Sequence, residues 1–359
     1  MKVLTIVGAR PHFIKEALLS SELSCHSGLT EVLVHTGQHH DPGLSEVFFT
    51  SLGIPHPNYN LGISGGSHAS MTARIMQALE GVLEKEKPGL VVVFGDTNTT
   101  LAGALTAAKM HFPVCHVESG VRTGFLSNPE EVNRICTDHL SSINCAPTLS
   151  CFNNLLRENL GNTSCFTGDL MFDAFKKYSS IAKNGSYSFF DIWNVETTLP
   201  DQFYYLTCHR EENSSKHIIR EILLAMEQLD NPVVYPVHPR MQQFIIEICK
   251  EDRLKNTLFI HPVGYLESLF LLEKTIQLTT DSGGLQREAF FAGKKCVTLL
   301  PFPASEELLE GNRNTLLEVI SQETILHAMG TSQSVDSSWM PFGTGRAAKE
   351  IVHMIERFF

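Results

Sequence analysis

The chain has 359 residues, of which 43% are hydrophobic and 19% charged, and its formal net charge is -11 with the 16 histidines neutral. Single hydrophobic cores stop growing at roughly 250 to 300 residues, so this length predicts two domains. The acidic balance excludes a general nucleic-acid surface and leaves any anionic ligand to local basic sites, and no uncharged apolar segment approaches the roughly 18 residues of a membrane span.

The first apolar run, Val3 to Val7, is too brief for a signal-peptide core and is followed by no small-residue cleavage site, which predicts a cytoplasmic protein. As a strand it ends in Gly8, Ala9, Arg10 and Pro11, then Phe13, Ile14 and Lys15. Gly8 permits a tight turn and Pro11 suits a first helical turn. Arg10 and Lys15 are expected near a helix N-terminus that favours phosphate; a plain turn with two solvated cations is an equal alternative. The second strand (31–37) runs into Gln38, His39, His40 and Asp41. Adjacent histidines on a turn diverge and no further ligand cluster has metal spacing, so substrate hydrogen bonding is expected here rather than metal.

The third strand, Leu90 to Phe94, stops at Gly95 and Asp96. A carboxylate at the end of a buried parallel strand is a catalytic candidate, and it is compatible with a helix-capping role. The fourth gives His116, Val117, Glu118, Ser119 and Gly120, a second acid at an equivalent strand end. Pro129, Glu130, Glu131, Asn133 and Arg134 then open a helix on which Glu130, Asn133 and Arg134 share one face. In isolation Glu130 and Glu131 read as solvated helix-start acids that complement the dipole. Strands at 143–148 and 164–169 complete the series.

A second series follows at 203–209, 232–238, 258–263, 275–281 and 296–301, with helical spacing between the runs. The alternation predicts two α/β domains in tandem, each a doubly wound parallel sheet, with a junction near 169–173 and an irregular connection over 183–200. His209 beside Arg210, and His238 beside Arg240, close two of these strands, where a protonated His balances a departing diphosphate. Asp281, Ser282, Gly283 and Gly284 run from a strand into a helix and bare backbone N–H groups, which makes a pyrophosphate cradle, with Glu288 about one turn on to chelate ribose hydroxyls. The last helix, 346–359, carries Ile351, Met354, Ile355, Phe358 and Phe359 and is expected to pack on a domain surface. Nine cysteines, odd in number and without a C-x-x-C pair, predict reduced, buried thiols.

In this order the blocks resemble the non-hydrolysing UDP-N-acetylglucosamine 2-epimerases: G-x-R-P-x-x-I-K at 8–15, T-G-Q-H at 36–39, G-D-T at 95–97, V-E-x-G-x-R at 117–122, P-E-E-x-N-R at 129–134, H-R-x-E-N at 209–213 and D-S-G-G-x-Q-x-E at 281–288. The resemblance implies two Rossmann-like domains facing across a cleft, a GT-B-like architecture, with domain one at 1–169, a UDP-binding domain at 170–345 and the last helix returning to the first. It implies anti elimination of UDP to a 2-acetamidoglucal and re-addition with protonation on the other face. Asp96, Glu118 and Glu130 match the acid/base carboxylates. Arg10, His209, Ser282, Gly283 and Gly284 match partners of the departing UDP, and Glu288 the ribose ligand; Lys15, Gln38, His39, Arg134 and His238 complete the substrate set. A homodimer feeding surface-polysaccharide synthesis is implied, with no nicotinamide, since nothing is oxidised, and no divalent metal, nucleic acid or membrane.

Stretches at 34–39, 45–55, 263–267 and 290–298 look more like the subgroup acting on UDP-2,3-diacetamido-2,3-dideoxy-glucuronate. Pro301 to Glu307 replaces the acidic T-E-x-x-E loop common in the family. A hydrolysing relative, a glycosyltransferase on the same scaffold and a non-catalytic UDP-sugar sensor are the alternatives; three acids in the first domain favour the epimerase.

Overall fold

Strands β1 (Lys2–Val7), β2 (Thr30–His35), β3 (Tyr59–Asn60), β4 (Leu90–Phe94), β5 (Val114–Val117), β6 (Ile143–Ala146) and β7 (Ser164–Phe166) form one parallel sheet in the order β3-β2-β1-β4-β5-β6-β7. The computed structural model describes residues 1–38, 55–303, 305–331, 335–336 and 338–359, with Arg10 described in its backbone alone. By contact the chain divides into two units, Met1–Ala174 with Pro341–Phe359, and Phe175–Met340.

Parallel sheets covered on both faces need strands apolar on both faces, which is why β4 reads as an unbroken hydrophobic run. Alternate residues Leu4, Ile6, Val91 and Val93 share one core with Ile75 and Leu79 of a covering helix. The helices of this unit are α1 (Arg10–Leu23), α2 (His68–Glu86), α3 (Asn98–Lys109), α4 (Pro129–Leu140) and α5 (Leu149–Arg157), and α6 (Leu170–Asn184) runs across the division into the second unit. Local chemistry sets their starts: Ser67 caps α2, Thr97 caps α3 through a reciprocal box with Thr100, and Asn128 caps α4, whose first residue is Pro129.

The second unit has a short antiparallel pair, β8 (Phe189–Phe190) with β9 (Glu196–Thr197), and a parallel sheet of β10 (Tyr204–Thr207), β11 (Val233–Pro236), β12 (Thr257–Ile260), β13 (Gln277–Thr280), β14 (Lys295–Thr298) and β15 (Asn314–Leu316). The order is β12-β11-β10-β13-β14-β15. Alternation again sends neighbours to opposite faces, Leu206 and Val233 into one core and Tyr205 and Val234 into the other. Covering helices are α7 (Lys216–Met226), α8 (Pro239–Glu251), α9 (Tyr265–Lys274), α10 (Gly283–Phe291) and α11 (Gln322–Gly330). Helix α12 (Ala347–Phe358) belongs to the first unit, where Glu356 Oε1 lies 2.7 Å from His26 Nδ1 and Ala348 N donates to Asp173 Oδ2 at 3.0 Å.

Both sheets therefore reverse strand order at one place, between β1 and β4 in the first and between β10 and β13 in the second. In doubly wound folds such a switch point opens a crevice at the carboxyl ends of the strands.

Several expectations are corrected in detail. The third strand ends at Phe94, where its apolar run ends, whereas the fourth ends at Val117, short of Gly120, because Glu118 turns to positive φ (70°) as Gly95 does after Phe94 (61°). The segment at 183–200 contains the β8–β9 pair, and strands of two or three residues such as β3, β9 and β15 carry no pattern to read. Along α12, Ile351 and Ile355 are buried but Phe358 and Phe359 remain exposed. All nine cysteines are free, yet Cys25 and Cys136 are exposed rather than buried. Among the described residues no helix is long and apolar enough to cross a membrane.

Candidate active site

At the switch point of the first unit, Gly8 follows β1, Thr36 follows β2, and Thr99 opens α3. The Thr36 and Thr99 hydroxyls are hydrogen-bonded at 2.8 Å. A Cβ on Gly8 would stand 2.2 Å and 2.3 Å from those two oxygens, so close approach, beyond the turn itself, demands glycine here. Gln38 accepts from the Thr99 amide at 3.0 Å and its hydroxyl at 2.8 Å, holding its side chain on the N-terminus of α3.

Asp96 and Glu118 leave adjacent strands, and each meets a cation. Arg134 Nη2 is ion-paired with Asp96, whose side chain is 32% exposed, and its Nη1 reaches Glu131 at 3.0 Å. Asn133 Nδ2 donates to the Asp96 carbonyl at 2.8 Å, so one face of α4 grips the Gly95–Asp96 turn. Lys15 Nζ is ion-paired with Glu118. A Cβ at Gly95 would lie 3.3 Å from Glu118 Oε2 and 3.9 Å from Lys15 Nζ, so the Glu118 pair adjoins the turn that carries Asp96. Glu118 has φ 70°, a left-handed conformation costly for a non-glycine residue and concentrated at functional sites. Its amide and that of Ser119 both donate to the Cys145 carbonyl at 3.1 Å.

Lys15 is thus placed against a carboxylate, buried, rather than at an open helix N-terminus: it lies on the second turn of α1. Arg134 likewise sits among carboxylates. Glu131 is not a solvated helix-start acid. It is 2% exposed and accepts from the amides of Thr123 and Gly124 at 2.9 Å and 3.0 Å; burial opposes its ionisation, but those amides and Arg134 outweigh it and hold the carboxyl below its ordinary range. Glu130 is half-buried at the start of α4, and among the described residues no partner engages its carboxylate. His39 lies outside the described residues, as does the side chain of Arg10.

In the second unit, Asp281 at the end of β13 reaches across the switch point to the end of β10. Its carboxylate is wholly buried and accepts from the His209 amide (2.9 Å), the Arg210 amide (2.9 Å) and Asn213 Nδ2 (3.2 Å), with His209 Nδ1 3.1 Å away. Burial opposes ionisation, but the His209 ring and the two amides overcome it and hold the carboxyl at about 2. The His209 ring, 40% exposed, stacks on His238 at 5.7 Å. His238 Nδ1 accepts the Arg240 amide at 3.2 Å as the cap of α8, and desolvation together with His209 and Arg240 lowers its pKa. Ser282 caps α10 by accepting from Leu285 N. The first-turn amides of Gly283 and Gly284 take no intrahelical acceptor, and a Cβ at Gly284 would meet nothing nearer than Ser282 Oγ at 3.9 Å. Glu288 lies on α10, 5% exposed.

The first unit therefore gathers Lys15, Gln38, Asp96, Glu118 and Arg134, and the second gathers His209, His238 and Ser282 with its glycines. Reasoning from the sequence missed the buried Asp281, Glu131, His116 and Asp138 as organisers; for Asp281 the strand-end position is a usable signal, whereas for Asp138 there is none in the chain.

The family model described as UDP-N-acetylglucosamine 2-epimerase matches residues 21–356. A UDP-2,3-diacetamido-2,3-dideoxy-D-glucuronate 2-epimerase of Pseudomonas aeruginosa is 38% identical over 99% of this chain and 100% of its own length. A UDP-N-acetylglucosamine 2-epimerase of Methanocaldococcus jannaschii is 36% identical over 99% of each chain. The crystal structure of the M. jannaschii UDP-GlcNAc 2-epimerase in complex with UDP-GlcNAc and UDP superposes with a TM-score of 0.86 at 34% identity, over 99% of this chain and 100% of that one. That of the Neisseria meningitidis UDP-GlcNAc 2-epimerase bound to UDP-GlcNAc gives 0.84 at 28% identity, over 99% and 100%. With a matching fold, strand-end acids and a Ser-Gly-Gly helix start, the chain belongs to the UDP-N-acetylglucosamine 2-epimerase family.

Proposed function

We propose that this protein inverts C2 of a UDP-linked N-acetylhexosamine without releasing the sugar, converting UDP-GlcNAc to UDP-ManNAc. The observation that carries the reading is the pair of acids, Asp96 and Glu118, at the ends of adjacent strands of one sheet, each held beside a cation, with Glu118 adjoining the turn that carries Asp96. Inversion at an unactivated C2 needs a base on one face and an acid on the other.

In the first step a carboxylate takes the C2 proton. The C–H electron pair forms the C1=C2 bond of a 2-acetamidoglucal, and the C1–O pair leaves with UDP. In the second, a UDP oxygen adds back to C1 and an acid delivers a proton to the opposite face of C2. Asp96, Glu118 and Glu130 are the acid/base groups, supported by Lys15 and Arg134, with Gln38 and His39 as substrate contacts. Arg10, His209, His238 and the Ser282, Gly283 and Gly284 turn hold the departing diphosphate, where fixed N–H donors stabilise developing charge, and Glu288 holds the ribose. No electron is gained or lost overall, so no nicotinamide is called for. The same reading carries a cytoplasmic homodimer, to be checked by sedimentation.

A second substrate, UDP-2,3-diacetamido-2,3-dideoxy-glucuronate, is favoured by the activity named for the Pseudomonas relative. Incubation in deuterated water decides: deuterium at C2 of UDP-ManNAc supports the first reading. Turnover of the diacetamido glucuronate alone supports the second, and free sugar or unchanged substrate in both arms defeats epimerisation.

A further inference from the structure

Beneath the two strand-end acids lies a buried network that the reaction itself does not use. Asp138, on the third turn of α4, is 0% exposed. Its Oδ1 lies 2.6 Å from His116 Nδ1; its Oδ2 accepts from Gly120 N at 3.0 Å and is ion-paired with Arg122 Nη2 at 2.7 Å. His116, also wholly buried, presents Nε2 to the Gly95 carbonyl at 2.7 Å. Each ring nitrogen thus faces an oxygen, so the ring bridges the Asp138 carboxylate to the Gly95 carbonyl. Burial opposes charge on Asp138, but His116 and Arg122 outweigh it and keep the carboxyl below its ordinary range.

The residues at the ends of this network are informative. Gly95 immediately precedes Asp96, and Gly120 follows Glu118 by two residues. Glu118 and Gly120 both have positive φ (70° and 78°), and a Cβ on Gly120 would stand 2.3 Å from the Cys151 carbonyl oxygen. A turn that L side chains rarely adopt persists only where its surroundings over-determine it. Here the constraint on Gly120 N comes from the same carboxylate that, through His116, fixes the Gly95 carbonyl.

We propose that Asp138 is a positioning residue for the epimerase reaction: acting through His116 on Gly95 and directly on Gly120, it sets the spacing of Asp96 and Glu118 around C2. The inference rests on the functional reading above. It concerns the strand ends of the first unit, whereas the UDP contacts, Arg10 apart, are assigned to the second, so proton transfer and UDP affinity should separate.

The test compares Asp138→Asn, His116→Gln and His116→Ala with the wild-type protein, measuring kcat, KM, C2 deuterium incorporation and UDP affinity by calorimetry. Misplacing a reacting group by about 1 Å costs roughly 100-fold, so kcat and deuterium incorporation in Asp138→Asn should fall about 10- to 100-fold, with KM and the UDP Kd within about twofold. His116→Gln, which keeps a donor for the Gly95 carbonyl, should retain several times the kcat of His116→Ala. A kcat within twofold of wild type, or a UDP affinity that falls in proportion to kcat, overturns the proposal. If Asp138→Asn does not fold, the two His116 variants decide it: equal kcat in both overturns it. A wild-type protein that exchanges no deuterium with either UDP-sugar defeats the epimerase reading instead.

Discussion

Replacing Asp281 by asparagine isolates the electrostatics of the second unit's switch point. The wild-type carboxyl is held at about 2 against an ordinary 3.8, which by proton linkage is worth about 2 kcal/mol of folding stability. Asparagine keeps the volume but turns an NH2 group toward the donors Arg210 N and Asn213 Nδ2, and a buried unsatisfied donor adds about 1–3 kcal/mol. A total loss of about 3–5 kcal/mol is expected near neutral pH. The sign with pH follows from the depressed folded pKa: the ionised contribution is complete above 3.8 and is lost as pH falls toward 2, about half of it by roughly pH 3. Both tryptophans, Trp193 and Trp339, lie in the second unit, so urea unfolding followed by their fluorescence reads that unit directly. A loss below about 1 kcal/mol at pH 7, or a gap between the two proteins that does not narrow between pH 5 and pH 3, would refute the account.

Gly8→Ala should cost about 1–3 kcal/mol in thermal melting, because the new methyl would overlap the Thr36 and Thr99 hydroxyls; an unchanged melting temperature would show that α3 moves freely. Glu118→Gln strips buried Lys15 of its counter-ion, and a loss of about 3–5 kcal/mol is expected along with a severe fall in C2 exchange; normal exchange would remove Glu118 from the acid/base set. Glu288→Ala should weaken UDP binding about tenfold while altering saturated turnover little, and calorimetry beside steady-state kinetics would expose the reverse pattern. His238 is held below its ordinary 6.5, so its contribution to stability is present above that pH and is lost as the pH drops below it. His238→Asn keeps a capping side chain and should flatten this limb of a urea-midpoint profile; a limb that survives belongs to another histidine.

What the sequence discloses here follows from the physics of parallel sheets. Strands buried on both faces must be apolar throughout, so runs such as Leu90 to Phe94 announce themselves, and their polar terminators, Asp96, Glu118 and Asp281, mark the strand ends where ligands bind. The α10 start was legible because serine and paired glycines have few other reasons to open a helix. Asp138 was not, since an aspartate on the last turns of a helix looks like a solvated side chain until the fold brings His116 beneath it, 22 residues away. Lys15 misled for a related reason. Its place in the motif suggested a cation near a helix N-terminus, but the second turn of the helix carries its amine inward to a strand end that local spacing does not reveal. Short strands such as β3 and β15 exist only because a longer neighbour offers an edge.

The first unit is assembled from two separate segments, Met1–Ala174 and Pro341–Phe359, with Phe175–Met340 spliced between them. On the ribosome, the surface of α1 that α12 covers stays bare while that intervening stretch is synthesised, so the leading half must wait, partly sealed, for its closing segment. Grafting experiments face the same constraint: the middle unit can be exchanged as a cassette only if both crossing points are cut together, and a fusion that detaches α12 should leave Ile351 and Ile355 as adhesive surface rather than core.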